Sequence, residues 1–136
     1  MILIVDASVT ISWIAADEHN KYAAAALAAF ETDSAIVPAI WHWEISNTLL
    51  VLERKGRLVD AIATYLQLVR LPIDIEVPAD GQRERAISEL QLARTHNLSA
   101  YDAAYLALAK ATSHSLATLD AKLASAARKE RVYFDN

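Results

Sequence analysis

Cysteine is missing from all 136 residues, which excludes disulfide frameworks, thiolate zinc sites and cysteine nucleophiles. No apolar run reaches the roughly 18 residues of a membrane-spanning helix. Nor does a basic segment precede the apolar start Ile2-Leu3-Ile4-Val5, so the chain reads as cytosolic. Positive charge is scarce as well: 13 basic residues against 17 acidic ones leave a net charge of −4. A nucleic-acid binder that relies on bulk charge has the opposite sign. Contact with nucleic acid would then need metal and local basic patches to offset the acidity. Repeats, low-complexity tracts and interdomain linkers are also lacking. Residues 1–136 therefore read as one domain, burying roughly two-thirds of its unfolded surface.

What is present is apolar and helix-prone. The hydrophobic share of 54% exceeds the soluble average of about 45–50%. The excess is mostly alanine, with some left over for an oligomer or partner interface. Ile2–Val5 predicts a short strand buried on both faces. Helices are expected over Val9–Ala15 and Glu18–Phe30, then a strand at Ala35–Val37 ended by Pro38. A long helix from Ala39 to Lys55 stops at Gly56, a left-handed cap, and another covers Leu58–Val69. Pro72 and Pro78 bracket Ile73–Val77, whose alternation fits an edge strand with one wet face. An amphipathic helix over 82–96 ends at Asn97, and Ser99 opens the next one, through Thr112. A strand at 115–119, a helix over Ala121–Lys129 and a last strand at Val132–Phe134 complete the chain. This alternation implies α/β architecture in three layers, α/β/α, around a mostly parallel sheet of about five strands.

Four acids punctuate that order. Asp6 closes the first strand, Glu44 lies near the start of the helix after Pro38, Asp102 sits in the first turn after Ser99, and Asp120 follows the strand at 115–119. In a parallel sheet the carboxyl ends of the strands open on one edge, so acids far apart in sequence gather in one crevice. Crowded carboxylates repel unless a hard cation lies among them. That points to a magnesium or manganese site and to phosphate chemistry. Asp6 would be the central ligand, because the first strand usually lies mid-sheet. Each acid also has a structural reading. Asp6 and Asp120 suit helix N-caps, and Ser99-x-x-Asp102 is close to a capping box. Glu44, between tryptophans and isoleucines, is costly to bury without a partner. A helix amino terminus tolerates negative charge, so capping and metal binding are compatible.

Polar neighbours join the candidate site. Ser8 and Thr118 each stand two residues from an acid, suited either to hold a carboxylate or metal-held water in place or to form a local turn. Asn47 is one helical turn beyond Glu44, placed to orient that carboxylate or contact substrate. His42, two residues from Glu44, points elsewhere on its helix, and His19, His96 and His114 share no ligand-like spacing. Arg54-Lys55-Gly56-Arg57 and Arg128-Lys129 are the candidate basic patches for RNA, though both also suit solvated helix ends. Trp13 reads as core. At least one of Trp41 and Trp43 is expected to be exposed, to stack bases or to line a groove for a partner helix.

The ordered blocks Asp6-Ala7-Ser8-Val9, Trp13, Glu44-Ile45-x-Asn47-x-Leu49, Leu98-Ser99-x-Tyr101-Asp102-Ala103-x-Tyr105-Leu106-Ala107-Leu108-Ala109 and Thr118-Leu119-Asp120-x-x-Leu123 resemble the PIN-domain ribonucleases. Within them, the VapC-type toxins of toxin–antitoxin pairs are the nearest match. The resemblance runs the length of the chain, and its most specific part is Leu98–Ala109. It implies that Asp6, Glu44, Asp102 and Asp120 are an acidic metal-binding quartet, supported by the hydroxyls of Ser8 and Thr118. It further implies magnesium-dependent RNA cleavage, homodimerisation and a cognate VapB-type antitoxin. A phosphoacceptor signalling domain would pair two adjacent acids after its first strand, and an aspartate-nucleophile phosphatase would carry Asp-x-Asp. This chain has Asp-x-Ser. The alternatives kept beside the ribonuclease are a catalytically silent partner-binding module on the same fold and a magnesium-binding phosphoacceptor domain.

Overall fold

The computed structural model describes residues 1–15, 20–30 and 33–135. Three-residue strands carry a parallel sheet: β1 (Leu3–Val5), β2 (Ala35–Val37), β3 (Ile73–Ile75) and β4 (Ser115–Ala117), in the order β3-β2-β1-β4. Leu3 pairs with both Ala35 and Ser115, and Ala35 with Ile73, so every strand runs the same way. β1 lies inside the sheet and is fully buried, as its unbroken apolar run requires. β3 is the edge strand, with Ile75 exposed between its bracketing prolines. Among the described residues the sheet has four strands. The last strand expected over Val132–Phe134 is reduced to an isolated bridge between Tyr133 and Leu116, because Arg131 takes a left-handed φ of 61° and leaves too little extended chain for a ladder.

Helices link the strands: α1 (Ala7–Ile14), α2 (Lys21–Phe30), α3 (Ile40–Arg54), α4 (Ala61–Leu68), α5 (Gln82–His96), α6 (Ala100–Thr112) and α7 (Ala121–Lys129). The expected start of α2 at Glu18, together with His19, lies outside the described residues. α3 ends where Gly56 adopts a φ of 73°, a left-handed turn that glycine makes without strain. α4 starts later than its apolar pattern suggests, because Asp60 caps it by accepting a hydrogen bond from the Ala63 amide. β4 stops at Ala117, two residues early, where Thr118 turns its side chain to the neighbouring loop. α5 departs most from expectation. Leu92 is its one buried residue, while Ile87 and Leu90 face outward. It packs along α6 through a half-buried face that includes Ala86, Leu92 and Ala93, and the fork from Arg85 to Glu76, at 2.8 and 2.9 Å, ties it to the chain after β3.

Two features of this topology position the site. The carboxyl ends of the strands share one edge, and helices in parallel crossovers run back against the strands. The starts of α1, α3, α6 and α7 therefore assemble at that edge, whichever strand each helix follows or precedes. α6 is the deepest helix, with Ala103 and Tyr105 to Ala109 buried against β1, β4 and the flanking helices. Among the described residues no helix is long and apolar enough to cross a membrane. Leu106→Ala, at a fully buried position of α6, should lower the unfolding free energy by about 2–5 kcal/mol, measured by urea denaturation. A change below about 0.5 kcal/mol would show that α6 is not part of the core.

Candidate active site

Asp6 leaves β1 with its amide bonded to the Ala117 carbonyl at 3.2 Å, and its buried carboxylate faces the loop after β4. One oxygen, Oδ1, caps α1 by accepting from the Val9 amide at 3.0 Å and from the Ser8 hydroxyl at 2.6 Å. The other accepts a short hydrogen bond from the Thr118 hydroxyl. The same two hydroxyls then accept backbone bonds: the Leu119 amide donates to Ser8 Oγ and the Asp120 amide to Thr118 Oγ1, each at 3.0 Å. Ser8 and Thr118 thereby fasten the loop after β4 to the loop after β1. Both hydroxyls donate to Asp6; for Ser8 this is the acid two residues away, whereas Thr118 reaches Asp6 across 112 residues and meets its own neighbour Asp120 only through the Asp120 amide.

α3 is fixed to this knot by its buried tryptophan. Trp41 Nε1 donates to Thr10 Oγ1 at 3.0 Å, and the Thr10 hydroxyl donates to the Asp6 carbonyl at 3.0 Å. One turn on, Glu44 is half-buried and accepts a 2.5 Å hydrogen bond from the Tyr105 hydroxyl of α6. Tyr105 was not marked as a site residue from sequence. Its signal is an aromatic one helical turn after Asp102, on a face that must be buried. Asp102 itself lies in the first turn of α6, where Ser99 is the cap and accepts from the Asp102 amide at 3.1 Å. Asp120 caps α7, accepting from the Leu123 amide at 2.8 Å. Capping is thus real for Asp6 and Asp120, while Ser99 performs it for α6.

The four acids feel one another. Burial raises the pKa of Asp6, opposed by the Ser8, Thr118 and Val9 hydrogen bonds and reinforced by the charge of Asp102. Glu44 is raised first by burial, with Tyr105 opposing and Asp102 and Asp6 reinforcing. Asp102 is raised by burial and then by Asp120, with Ser99 opposing. Among the described residues, no basic side chain counters the shift at Glu44 or Asp102. Among the described residues, no three acidic or histidine side chains form a ready-made ligand cluster; unscreened like charges stand apart, and both Asp6 oxygens face hydroxyls. The donors at this edge are carboxylates and hydroxyls throughout. In charge and ligand type they fit a hard divalent cation such as Mg²⁺ or Mn²⁺.

The other candidates lie elsewhere. Asn47 stands exposed one turn beyond Glu44 and is not drawn into this network. His42 accepts or donates at Tyr65 across 2.7 Å, and His96 meets Glu130. His19 is outside the described residues. Arg54, Lys55 and Arg57 are at the far end of α3, about 15 Å along its axis from Glu44 at 1.5 Å per residue. Arg128 is near the far end of α7, with its guanidinium 4.1 Å from the centre of the Tyr133 ring. Both basic patches are thus displaced from the acidic edge. Trp13 packs on Phe30 and donates to the Ala23 carbonyl, as a core residue does. Trp43 is exposed.

Comparison with protein families matches a PIN domain over residues 3–129. The chain belongs to the PIN domain family. Solved structures agree on the PIN fold. VapBC2 of Rickettsia felis, bound to a DNA fragment from its promoter, aligns with a TM-score of 0.61 at 16% identity, covering 97% of this chain and 93% of that one. VapC20 of Mycobacterium tuberculosis, a Sarcin-Ricin loop cleaving toxin, aligns with a TM-score of 0.59 at 18% identity, covering 91% and 94%. FitAcB of Neisseria gonorrhoeae aligns with a TM-score of 0.65 at 23% identity, covering 100% and 97%. Comparison with curated proteins found no match.

The raised carboxyl pKa values of the PIN site make a signed prediction. These groups hold protons more tightly when folded than when unfolded. Their effect is destabilising above the folded pKa values and is relieved as pH falls towards the unfolded values of 3.8 and 4.5. In EDTA, the urea midpoint should therefore gain less for Asp102→Asn than for the parent when pH falls from 7 to 5. Identical pH profiles for the two proteins would show that Asp102 is not under this repulsion.

Proposed function

We propose that this PIN domain is a metal-dependent ribonuclease, the toxin of a VapBC-type toxin–antitoxin pair, hydrolysing RNA phosphodiester bonds at Asp6, Glu44, Asp102 and Asp120. The observation that carries this reading is the electrostatic coupling of the four acids at the strand-end edge, with burial raising three of them and no cation offsetting Glu44 or Asp102. Likeness to VapC20, a Sarcin-Ricin loop cleaving toxin, supports RNA as substrate, and likeness to VapBC2 supports a paired antitoxin. Exposed apolar side chains, among them Leu50, Ile62 and Leu66 on α3 and α4 and Ile87 and Leu90 on α5, offer surface for an antitoxin and for a second copy of the chain.

Bound Mg²⁺ or Mn²⁺ supplies the Lewis acidity that phosphodiester hydrolysis needs. The chain's own residues prepare the place for it. Asp6 presents its carboxylate from an interior strand, held rigid by α1 capping and by the Ser8 and Thr118 hydroxyls. Glu44 is held by Tyr105, so its second oxygen is left for a ligand. Asp102 enters from the first turn of α6 and Asp120 from the N-cap of α7, helix starts whose dipoles favour negative charge. Together they gather four carboxylates whose repulsion a divalent ion offsets.

Labelled structured RNA incubated with the purified chain should be cut in Mg²⁺ and left intact in EDTA. Asp102→Asn should lower cutting by more than about 100-fold, beyond what loss of a ligand's supporting partner costs, while keeping the fold. Cleavage that persists undiminished in that variant would remove Asp102 from the site. Magnesium at 100 times its Kd should stabilise the protein by about 2.7 kcal/mol, several degrees in Tm. An unchanged melting curve at saturating Mg²⁺ or Mn²⁺ would sink the metal site.

A further inference from the structure

At the acidic edge the Lys122 amine reaches the Asn97 carbonyl at 3.5 Å, and two aromatic rings face outward nearby. Trp43 directly precedes Glu44, and Tyr101 directly precedes Asp102. Their exposures are 64% and 63%, large for side chains whose burial is strongly favourable. Although they come from different helices, both line one cleft of about 320 Å³ between the starts of α3 and α6 and the outer face of α5. Ala39 and Ala100 leave room between them. Gln82 and Glu89, joined by a 3.3 Å hydrogen bond, put an amide and a carboxylate at the rim. No lysine or arginine lines this cleft, so it is not built for a phosphate.

We infer that Trp43 and Tyr101 form a stacking site for an unpaired nucleobase of single-stranded RNA, one that holds the strand beside the acidic edge. The inference rests on the ribonuclease reading and deepens it. Aromatic faces take any base. Amide and carboxyl groups at the rim supply the donors and acceptors that an exposed base edge can use. The cleft opens at the starts of α3 and α6, the same helix starts that carry Glu44 and Asp102, so a base held there lies near the acids although ring and acid point to different sides of each helix. An uncharged base suits a cleft without cations, and it adds affinity that does not depend on the distant basic patches. A duplex, with its bases stacked and paired, has no free base to insert.

The test uses the full chain carrying Asp102→Asn in saturating Mg²⁺, with a fluorescein-labelled mixed-sequence RNA hexamer followed by anisotropy. Trp43→Ala and Tyr101→Ala, each added to that background, should weaken binding by roughly 10-fold, within the span that loss of one base–aromatic stack produces. Trp43→Phe should stay within about 3-fold of the background, since it keeps an aromatic face. The same hexamer as a duplex should bind less tightly and be insensitive to all three substitutions. Unchanged affinity in both alanine variants, or an equal loss for duplex and single strand, would overturn the stacking site. Alanine variants that change the sedimentation coefficient while leaving RNA affinity unaltered would overturn it too, assigning this face to contact between copies. If the unsubstituted chain cuts no RNA yet the single strand still loses affinity in the alanine variants, the stacking site stands and the ribonuclease reading fails.

Discussion

Everything at the strand-end edge depends on one buried carboxylate. Asp6 terminates an interior apolar strand, caps the first helix and receives the hydroxyls of Ser8, from the first turn of that helix, and of Thr118, from the loop after β4. A carboxylate buried at a sheet end is costly without such donors. The second donor is in reach because parallel pairing of β1 with β4 brings the start of α1 and the loop after β4 side by side. Hydrogen bonding holds Asp6 in place, and the same bonds close the edge of the sheet. Because the Leu119 and Asp120 amides in turn donate to those hydroxyls, the fold and the site share one set of contacts.

The remaining acids are held at the same edge at an electrostatic cost. Glu44, Asp102 and Asp120 each have a local partner: a tyrosine hydroxyl, a cap serine and a helix-start amide. These contacts fix positions without cancelling charge, so burial and repulsion together raise the pKa values of Glu44 and Asp102. A site of this kind is stable but under tension, which is the condition in which a divalent cation brings most benefit. Net acidity of the whole chain becomes understandable on the same terms. On the proposed ribonuclease reading, attraction for an anionic substrate falls to a bound cation and to uncharged contacts, since the basic clusters lie at the opposite helix ends.

Much of the fold was legible in sequence because the signals were local. Unbroken apolar runs marked β1 and β2, Gly56 and Asn97 marked left-handed helix ends, and prolines marked the edge strand. The grouping of four acids followed from one topological rule about parallel strands. What went astray had long-range causes. Val132–Phe134 has strand-like composition, yet the backbone at Arg131 leaves it only a bridge to β4. The periodic pattern of α5 suggested an apolar face, but Ile87 and Leu90 stay in solvent, and the helix packs on α6 through small and half-buried residues with the Arg85–Glu76 fork beside them. Tyr105 carries no local signal that pairs it with Glu44, 61 residues earlier, and only the tertiary structure brings its hydroxyl to that carboxylate.

By itself, then, the sequence determined the element types, the acids at helix starts and their capping roles, because helix propensity, turn chemistry and caps act over a few residues. Only the tertiary structure decided which hydroxyl meets which carboxylate, which tryptophan is buried and how far the basic clusters lie from the acids. Those outcomes depend on packing between segments up to 112 residues apart, where the direction of a side chain is set by the sheet order and the crossover helices rather than by its neighbours in the chain.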